Sequence, residues 1–364
     1  MAEPTRAQVR RRVGRSAVEV TQLGLGGASL GDLFATISTA DALGAVDSSW
    51  DAGVRYYDTA PWYGLGLSES RVGLGLHGRA RGDFVLSSKV GKTLTPVHRP
   101  EDGYDKMGWA GGLPMTLDFD YSGAAFRSQH HDSLQRLGVG RMDMAVIHDL
   151  EPQTWPDDPS ACERHLAALL DKDSGGLPEL VKMRQEGLVS AIGAGVNGQE
   201  GAAWQVEYTR RLADESAALG TPLDFFLLAG TPTLLDHGAY TNGLLDLCEE
   251  RGISVILGGP FNSGILATGA VPGAKYYYGE ATPVVVETVG AMDAICKAHG
   301  VTLAATAMQY PLGHPAVVSV IPGAKTAAEV ERNVAGFNAR LNPELWRQMK
   351  EAGLLPAAAR VPTE

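Results

Sequence analysis

The chain has 364 residues, 44% of them hydrophobic and 20% charged, and a formal net charge of −11. This is an ordinary globular composition with room for a large core, and its acidic balance argues against a nucleic-acid or anionic-membrane partner. Its three cysteines, Cys162, Cys248 and Cys296, lie far apart and form no C-x-x-C, so neither a disulfide framework nor a zinc site is expected.

No apolar run is long enough to span a bilayer. The basic start RAQVRRRVGR is preceded by Glu3 and followed by no apolar core, which argues against a targeting segment and for a cytoplasmic protein. The same start leads into an expected strand pair around Val13–Gly14–Arg15 and Val18–Leu23. LGLGG at 23–27 then reads as a strand, and residues 39–53 as an amphipathic helix capped by Thr39. VRYY at 54–57 is a strand, and SESRVGLGLHG begins a helix with Ser68 as cap. DFVLSS at 83–88 is a strand, followed by a long Gly-rich and aromatic segment to about 121, a helix over 123–138 and a strand over 142–148. The second half repeats the alternation: helix 177–187, strand 188–195, helix 200–219, strand 223–230, helix 240–252 and strand 253–259. A loop over 260–282, helical segments to about 312, the strand 316–323 and the helix 326–337 complete it. NPELWRQMKEAG adds a terminal helix with Asn342 as cap and Pro343 in its first turn.

Eight strand-then-helix units without a Pro/Ser-rich linker predict one domain over 1–364, a (β/α)8 TIM barrel with an N-terminal hairpin and an extra C-terminal helix. Strands such as VILGG are apolar on consecutive residues, as strands covered on both faces are. A doubly wound open sheet is the competing arrangement.

In such a barrel the chemistry gathers at the C-terminal strand ends. Three consecutive strands end in Asp58, Lys89 and His148, and Tyr63 follows the first of them within a Gly/Pro-rich turn. Singly, Asp58 reads as a turn residue, Lys89 as a solvated lysine and His148 as a core histidine; their joint placement points to chemistry. A phenol has a pKa of about 10, and a neighbouring ammonium is expected to lower it. Asp58 would hold Lys89, and His148 would orient a substrate oxygen, which suits proton transfer at a carbonyl or hydroxyl. The set includes no electron carrier, so redox chemistry needs a cofactor.

The motifs YYDTAPWYG, SSKVGK, VIHDL and VIPGAKTAAEVERN together resemble the aldo-keto reductases, in order and over residues 15 to 340. The resemblance implies a catalytic tetrad of Asp58, Tyr63, Lys89 and His148, with Tyr63 as proton donor or acceptor, and an NAD or NADP cofactor. GAGVNG at 193–198 matches the dinucleotide fingerprint G-x-G-x-x-G, but no acid stands at the end of a following strand. Its glycines read better as tip residues of the fifth strand. The phosphates are expected near the loops after strands seven and eight. The resemblance assigns Asn262, Ser263, Gly264, Gly323, Lys325, Glu329 and Asn333 to the cofactor, joined by Gly195 and Asn197 at strand five and by Phe261 as nicotinamide-stacking candidate. Glu329 replaces an arginine found in many relatives, which leans toward NAD.

The substrate is expected to meet Trp62, Trp109 and His148, with the tyrosines at 276–278 in a covering loop. The finer motifs DTAPWYGLGLSE, GGLP, FDYS and GGPFNSGIL resemble the branch of the family that holds aldose 1-dehydrogenases and pyridoxal 4-dehydrogenases. That implies oxidation of a cyclic hemiacetal, of a sugar such as L-fucose by preference or of pyridoxal, to a lactone. An alternative of another class is a non-catalytic dinucleotide-binding regulatory subunit. The pair His130–His131 reads as a solvated helix face rather than a metal site.

Overall fold

A computed structural model describes residues 3–98, 104–198 and 203–363. Part of the long segment after the third barrel strand, 99–103, and the expected start of the sixth-strand helix, 200–202, lie outside the described residues. The N-terminal hairpin pairs β1 (Arg10–Arg12) with β2 (Glu19–Thr21). The barrel strands begin with β3 (Leu25–Gly26), β4 (Tyr56–Asp58) and β5 (Val85–Val90). A second hairpin, β6 (Lys92–Pro96) and β7 (Met115–Phe119), rises from the end of β5. The sheet continues through β8 (Met144–His148), β9 (Ala191–Asn197), β10 (Phe225–Ala229) and β11 (Ser254–Gly258). A short pair, β12 (Lys275–Tyr276) and β13 (Gly279–Glu280), sits in the next loop, and β14 (Val317–Ile321) is last.

The eight parallel strands run in chain order around the sheet, and the bridges Leu23 to Val320 and Gly26 to Gly323 join its first and last members. The expected TIM barrel is thus the fold. Strand alternation divides its core. Met144 and Val146, Phe225 and Leu227 face one inner cluster, whereas Ala145 and Ile147, Phe226 and Leu228 face the helices. A period of two makes the strand ends Asp58, Lys89 and His148 share the inward face with Tyr56, Ser87 and Val146. Val13, Val18 and Val20 of the hairpin join the inner cluster. Gly14 approaches so closely that a Cβ would lie 2.1 Å from the carbonyl oxygen of Asp224, just before β10. The hairpin therefore plugs the N-terminal end of the barrel and leaves the other end as the mouth.

Several local expectations are corrected. Ser38, not Thr39, caps the first barrel helix, its hydroxyl accepting from the amide of Asp41. Ser68 lies inside its helix, which Gly66 caps; its hydroxyl instead bonds the Gly27 carbonyl at 2.7 Å and meets the Thr59 hydroxyl at 2.8 Å. The segment after β5 is a hairpin rather than a plain loop, and the chain adds an unanticipated helix over Pro159–Leu170. The terminal helix Pro343–Glu351, capped by Asn342 as expected, buries Leu345, Trp346 and Met349 against a satellite core. Among the described residues no helix is long and apolar enough to cross a membrane.

Candidate active site

Register brings the strand ends together. Asp58 of β4 lies opposite Ser87 of β5, Lys89 opposite Val146 of β8, and His148 opposite Gly195 of β9. Lys89 donates from Nζ to Asp58 Oδ2 at 2.8 Å and to the Thr59 carbonyl at 2.8 Å. The remaining oxygen of Asp58 accepts from the Ser87 hydroxyl at 2.6 Å, and Tyr56 stands behind it with its hydroxyl 3.1 Å from Ser87 Oγ. Both charges are therefore buried, paired and hydrogen-bonded, the condition under which such a pair is tolerated. Tyr63 packs onto this pair, with Lys89 Nζ 4.7 Å from its ring centre and the His148 ring 6.1 Å away, edge-on. All four expected tetrad residues thus occupy one site.

Electrostatics correct one expectation. The Tyr63 hydroxyl is pushed well above its ordinary pKa, first by burial and then by the charges of Asp58 and Asp149. The lysine effect anticipated from the sequence does not prevail, first because the phenol is cut off from water and then because the carboxylate that anchors Lys89 also faces it. His148 is pushed well below its ordinary pKa, by burial above all and by Lys92 and Lys89 against the opposing pull of Asp149. It is a neutral imidazole near pH 7, fit to hydrogen-bond a substrate oxygen without charge. Its Nδ1 is buried without a partner.

Trp62 and Trp109, expected to meet the substrate, pack against each other beside Tyr63. Trp109 lies 5.7 Å from Trp62 and 5.9 Å from Tyr63, ring centre to ring centre. Its loop is tied down by backbone bonds from Ala110 to Asp32 and from Leu113 to Gly64. The indole Nε1 is buried with no partner. The hairpin loop adds Tyr278, whose ring packs 5.9 Å from that of Phe34 in the loop after β3, while the Tyr277 hydroxyl donates to Asp236.

The expected cofactor residues form two groups of different character. Asn262, Ser263 and Gly264, after β11, all have left-handed backbone, at φ 43°, 64° and 115°. Such strain in non-glycine residues gathers at ligand sites. Asn262 is anchored by a bond from Nδ2 to the Gly230 carbonyl at 3.2 Å, and its Oδ1 is buried and unpartnered. Phe261 packs against the apolar core beside them. Gly323 follows β14, the neighbour of β11, and Asn333 reaches back to its carbonyl at 3.5 Å. Lys325 lies half-buried at the entrance of the helix Ala327–Asn338. Glu329 is committed to that entrance, its Oε2 accepting the Lys325 amide at 2.7 Å. At β9, Gly195 lies against the His148 ring: a Cβ there would stand 3.4 Å from Val146 Cγ1 and 3.6 Å from His148 Cδ2, ordinary contacts.

Two expectations fail in side-chain detail. Asn197 does not present its amide to a cofactor; Nδ2 is bonded to Asp149 at 3.0 Å and to Glu151 at 2.6 Å. His130 is not on a solvated face; it is fully buried while His131 is exposed, because the helix Gly123–Leu137 turns that position inward beside Phe126 and Ser133. Neither ring nitrogen of His130 has a partner. Missed by sequence reasoning were Ser87, the Thr59 carbonyl and the pair Lys92–Asp149. Asp149 directly follows His148, and Lys92 closes the motif SSKVGK, so adjacency was the one available signal.

A parallel barrel closed by its first and last strands, with an acid, a lysine, a phenol and an imidazole converging at its C-terminal mouth, defines an oxidoreductase that works with a nicotinamide dinucleotide. The chain belongs to the Aldo/keto reductase family, whose model matches residues 22–353. It is 35% identical to a pyridoxal 4-dehydrogenase from Microbacterium luteolum, covering 96% of this chain and 99% of that protein. It is 33% identical to a D-threo-aldose 1-dehydrogenase from a Pseudomonas species, covering 94% and 96%. In three dimensions it superposes on an aldo-keto reductase from Bacillus halodurans with a TM-score of 0.68 at 23% identity, over 98% of this chain and 99% of that one. The chain is accordingly an NAD(P)-dependent oxidoreductase acting on a small molecule.

Proposed function

We propose that this enzyme oxidises the C1 hemiacetal hydroxyl of an aldose of the L-fucose (D-threo-aldose) type to the lactone, with NAD as preferred cofactor. The observation that carries the chemistry is the position of Lys89, bonded to Asp58 and Thr59 and set 4.7 Å from the Tyr63 ring centre beside a neutral His148. In this reading Tyr63 takes the proton of the anomeric hydroxyl in the oxidative direction and returns it in reduction. Lys89 stabilises the phenolate at the moment it forms, Asp58 holds Lys89 in place, and His148 orients the reacting oxygen. When bound, the nicotinamide supplies the two-electron hydride chemistry that no side chain here offers.

The residues fit such a cofactor. The strained turn 262–264 carries an unsatisfied buried acceptor, and the neighbouring helix begins with Thr326 as its cap. Glu329 already places a carboxylate at that helix N-terminus, where a phosphate would otherwise benefit from the free amides. It would repel a 2′-phosphate, which supports NAD over NADP. Trp62 and Trp109 offer an aromatic wall for a ring-shaped substrate. Oxidation of pyridoxal to its lactone is the second reading, favoured by the 35% identical relative.

The test is NADH or NADPH formation at alkaline pH with L-fucose, D-arabinose, L-galactose and pyridoxal. The expected outcome is turnover of the aldoses, faster with NAD. Turnover of pyridoxal alone would transfer the assignment to the second reading, and binding of dinucleotide without any turnover would contradict both.

A further inference from the structure

Lys92 and Asp149 stand next to the tetrad, and nothing in the proton-transfer scheme uses them. Lys92 follows Lys89 by three residues and Asp149 follows His148 by one, so both project from the same strand ends toward the mouth. The Lys92 ammonium is buried, pairs with Asp149 Oδ2, and lies 4.9 Å from the ring centre of Trp62. Asp149 Oδ1 accepts from Asn197 at 3.0 Å and lies 3.5 Å from His148 Nε2. Behind them the fully buried Glu151 accepts from the Asn197 amide, backbone and side chain, at 3.0 and 2.6 Å.

This arrangement is costly as mere scaffolding. A desolvated ion pair adds little to stability over apolar residues of the same volume, and Asp149 is held at φ 49°, a left-handed conformation unfavourable for a side-chain-bearing residue. Capacity for a ligand remains. One of the three donors of Lys92 is used by Asp149, and the Asp149 carboxylate, 18% exposed, has lone pairs beyond those its two neighbours take. A second observation points the same way. Trp109, 7% exposed, packs edge-on against Trp62 and tilted against Tyr63 with its buried Nε1 donor unpartnered, so the aromatic wall that includes Trp62 also holds a donor free for a ligand.

We propose that Lys92 and Asp149 form a hydroxyl-recognition pair, which binds the ring hydroxyl on the carbon next to the one oxidised. Asp149 accepts from that hydroxyl, Lys92 donates to it, and Asn197, shared between two carboxylates, is the positioning residue that keeps Asp149 in place. The substrate class is a polyhydroxylated ring, and a simple aldehyde or deoxy analogue leaves a buried charge pair without its partner, which is how such sites reject a missing hydroxyl. The inference rests on the aldose reading above and deepens it.

The experiment compares kcat/KM for D-arabinose and 2-deoxy-D-ribose, which differ for this purpose in that one hydroxyl, in the native enzyme and in Asp149→Asn, Lys92→Met and Lys92→Arg. Dinucleotide affinity is measured alongside by fluorescence. The native enzyme is expected to favour the hydroxylated sugar by at least about 10-fold. In Asp149→Asn and Lys92→Met that ratio is expected to collapse through a raised KM for D-arabinose, with dinucleotide affinity unchanged; Lys92→Arg retains discrimination. Turnover of D-arabinose with the same ratio in Asp149→Asn as in the native enzyme would overturn the proposal while leaving the aldose reading intact. Absence of aldose turnover in the native enzyme would overturn the aldose reading itself, and the native arm alone reveals it.

Discussion

Two lysine–aspartate pairs lie side by side at the barrel mouth, and they are built differently. Lys89 and Asp58 have side chains 1% and 2% exposed; two of the three Lys89 donors meet Asp58 and Thr59, and the two Asp58 oxygens accept from Lys89 and Ser87. Lys92 and Asp149 are 4% and 18% exposed, and the outer carboxylate is reached by solvent. The inner pair is closed and acts on Tyr63 through position; the outer pair is open on one side and can be completed by a ligand. Burial sets their electrostatics too. Burial opposes the Asp149 charge, but the Lys92 ammonium and the Asn197 amide stabilise it and hold its pKa below the usual carboxylate range. Glu151, one layer deeper, is pushed upward by burial and by the Asp149 charge.

The largest expected effect comes from opening the closed pair. Lys89→Met should lower kcat/KM by about 10²–10⁴-fold, and the uncompensated Asp58 should cost about 3–5 kcal/mol of stability, read by denaturant unfolding. Lys92→Met should cost distinctly less stability, because Asp149 keeps Asn197 and some water; equal losses in the two variants would erase the distinction between the pairs.

Glu329→Arg should move cofactor preference toward NADP by about 10-fold or more, the equivalent of one charge-assisted hydrogen bond. An unchanged NAD/NADP ratio would detach Glu329 from selectivity and leave it as a helix cap alone.

Smaller effects sharpen what burial without a charge partner costs. His130, with its pKa pushed down to about 4 by burial first and by His131 and Arg127 after it, binds fewer protons in the native state than in the unfolded state between its ordinary value of 6.5 and that lowered one. Its contribution to stability is therefore lost as pH falls through that window. His130→Leu should raise the unfolding temperature at pH 5 by a few degrees and change it little at pH 8. Glu151 has the opposite sign. Its raised pKa makes the native state hold the extra proton above the ordinary carboxylate range, so stability falls as pH rises through that interval. Glu151→Gln should flatten this fall, and an unaltered pH–stability curve would contradict the buried, raised carboxyl.

Much of this was legible in the sequence, for identifiable reasons. Asp58, Lys89 and His148 end three successive apolar strands, and the period of two aligns them on one face once the barrel closes. Tyr63 lies only five residues beyond Asp58, so local chain geometry keeps it near. The outer pair was hidden because Lys92 and Asp149 are 57 positions apart in the chain and meet only through the β5–β8 register. His130 was misplaced because its neighbours in the helix are polar, and polarity alone does not fix which face packs on the barrel. The direction of the Tyr63 shift was missed because sequence shows which charges are near but not how completely water is excluded.

The central claim is that Tyr63 is the group that moves the proton. The most direct measurement is single-turnover reduction of NAD by aldose in native enzyme and in Tyr63→Phe, across pH, with dinucleotide affinity measured in both. The native rate should climb as pH rises, since burial raises the phenol and oxidation requires its deprotonated form, and Tyr63→Phe should lose at least about 100-fold at every pH with affinity unchanged. A Tyr63→Phe enzyme that binds dinucleotide and turns over within a few-fold of native, with the same pH dependence, would contradict it.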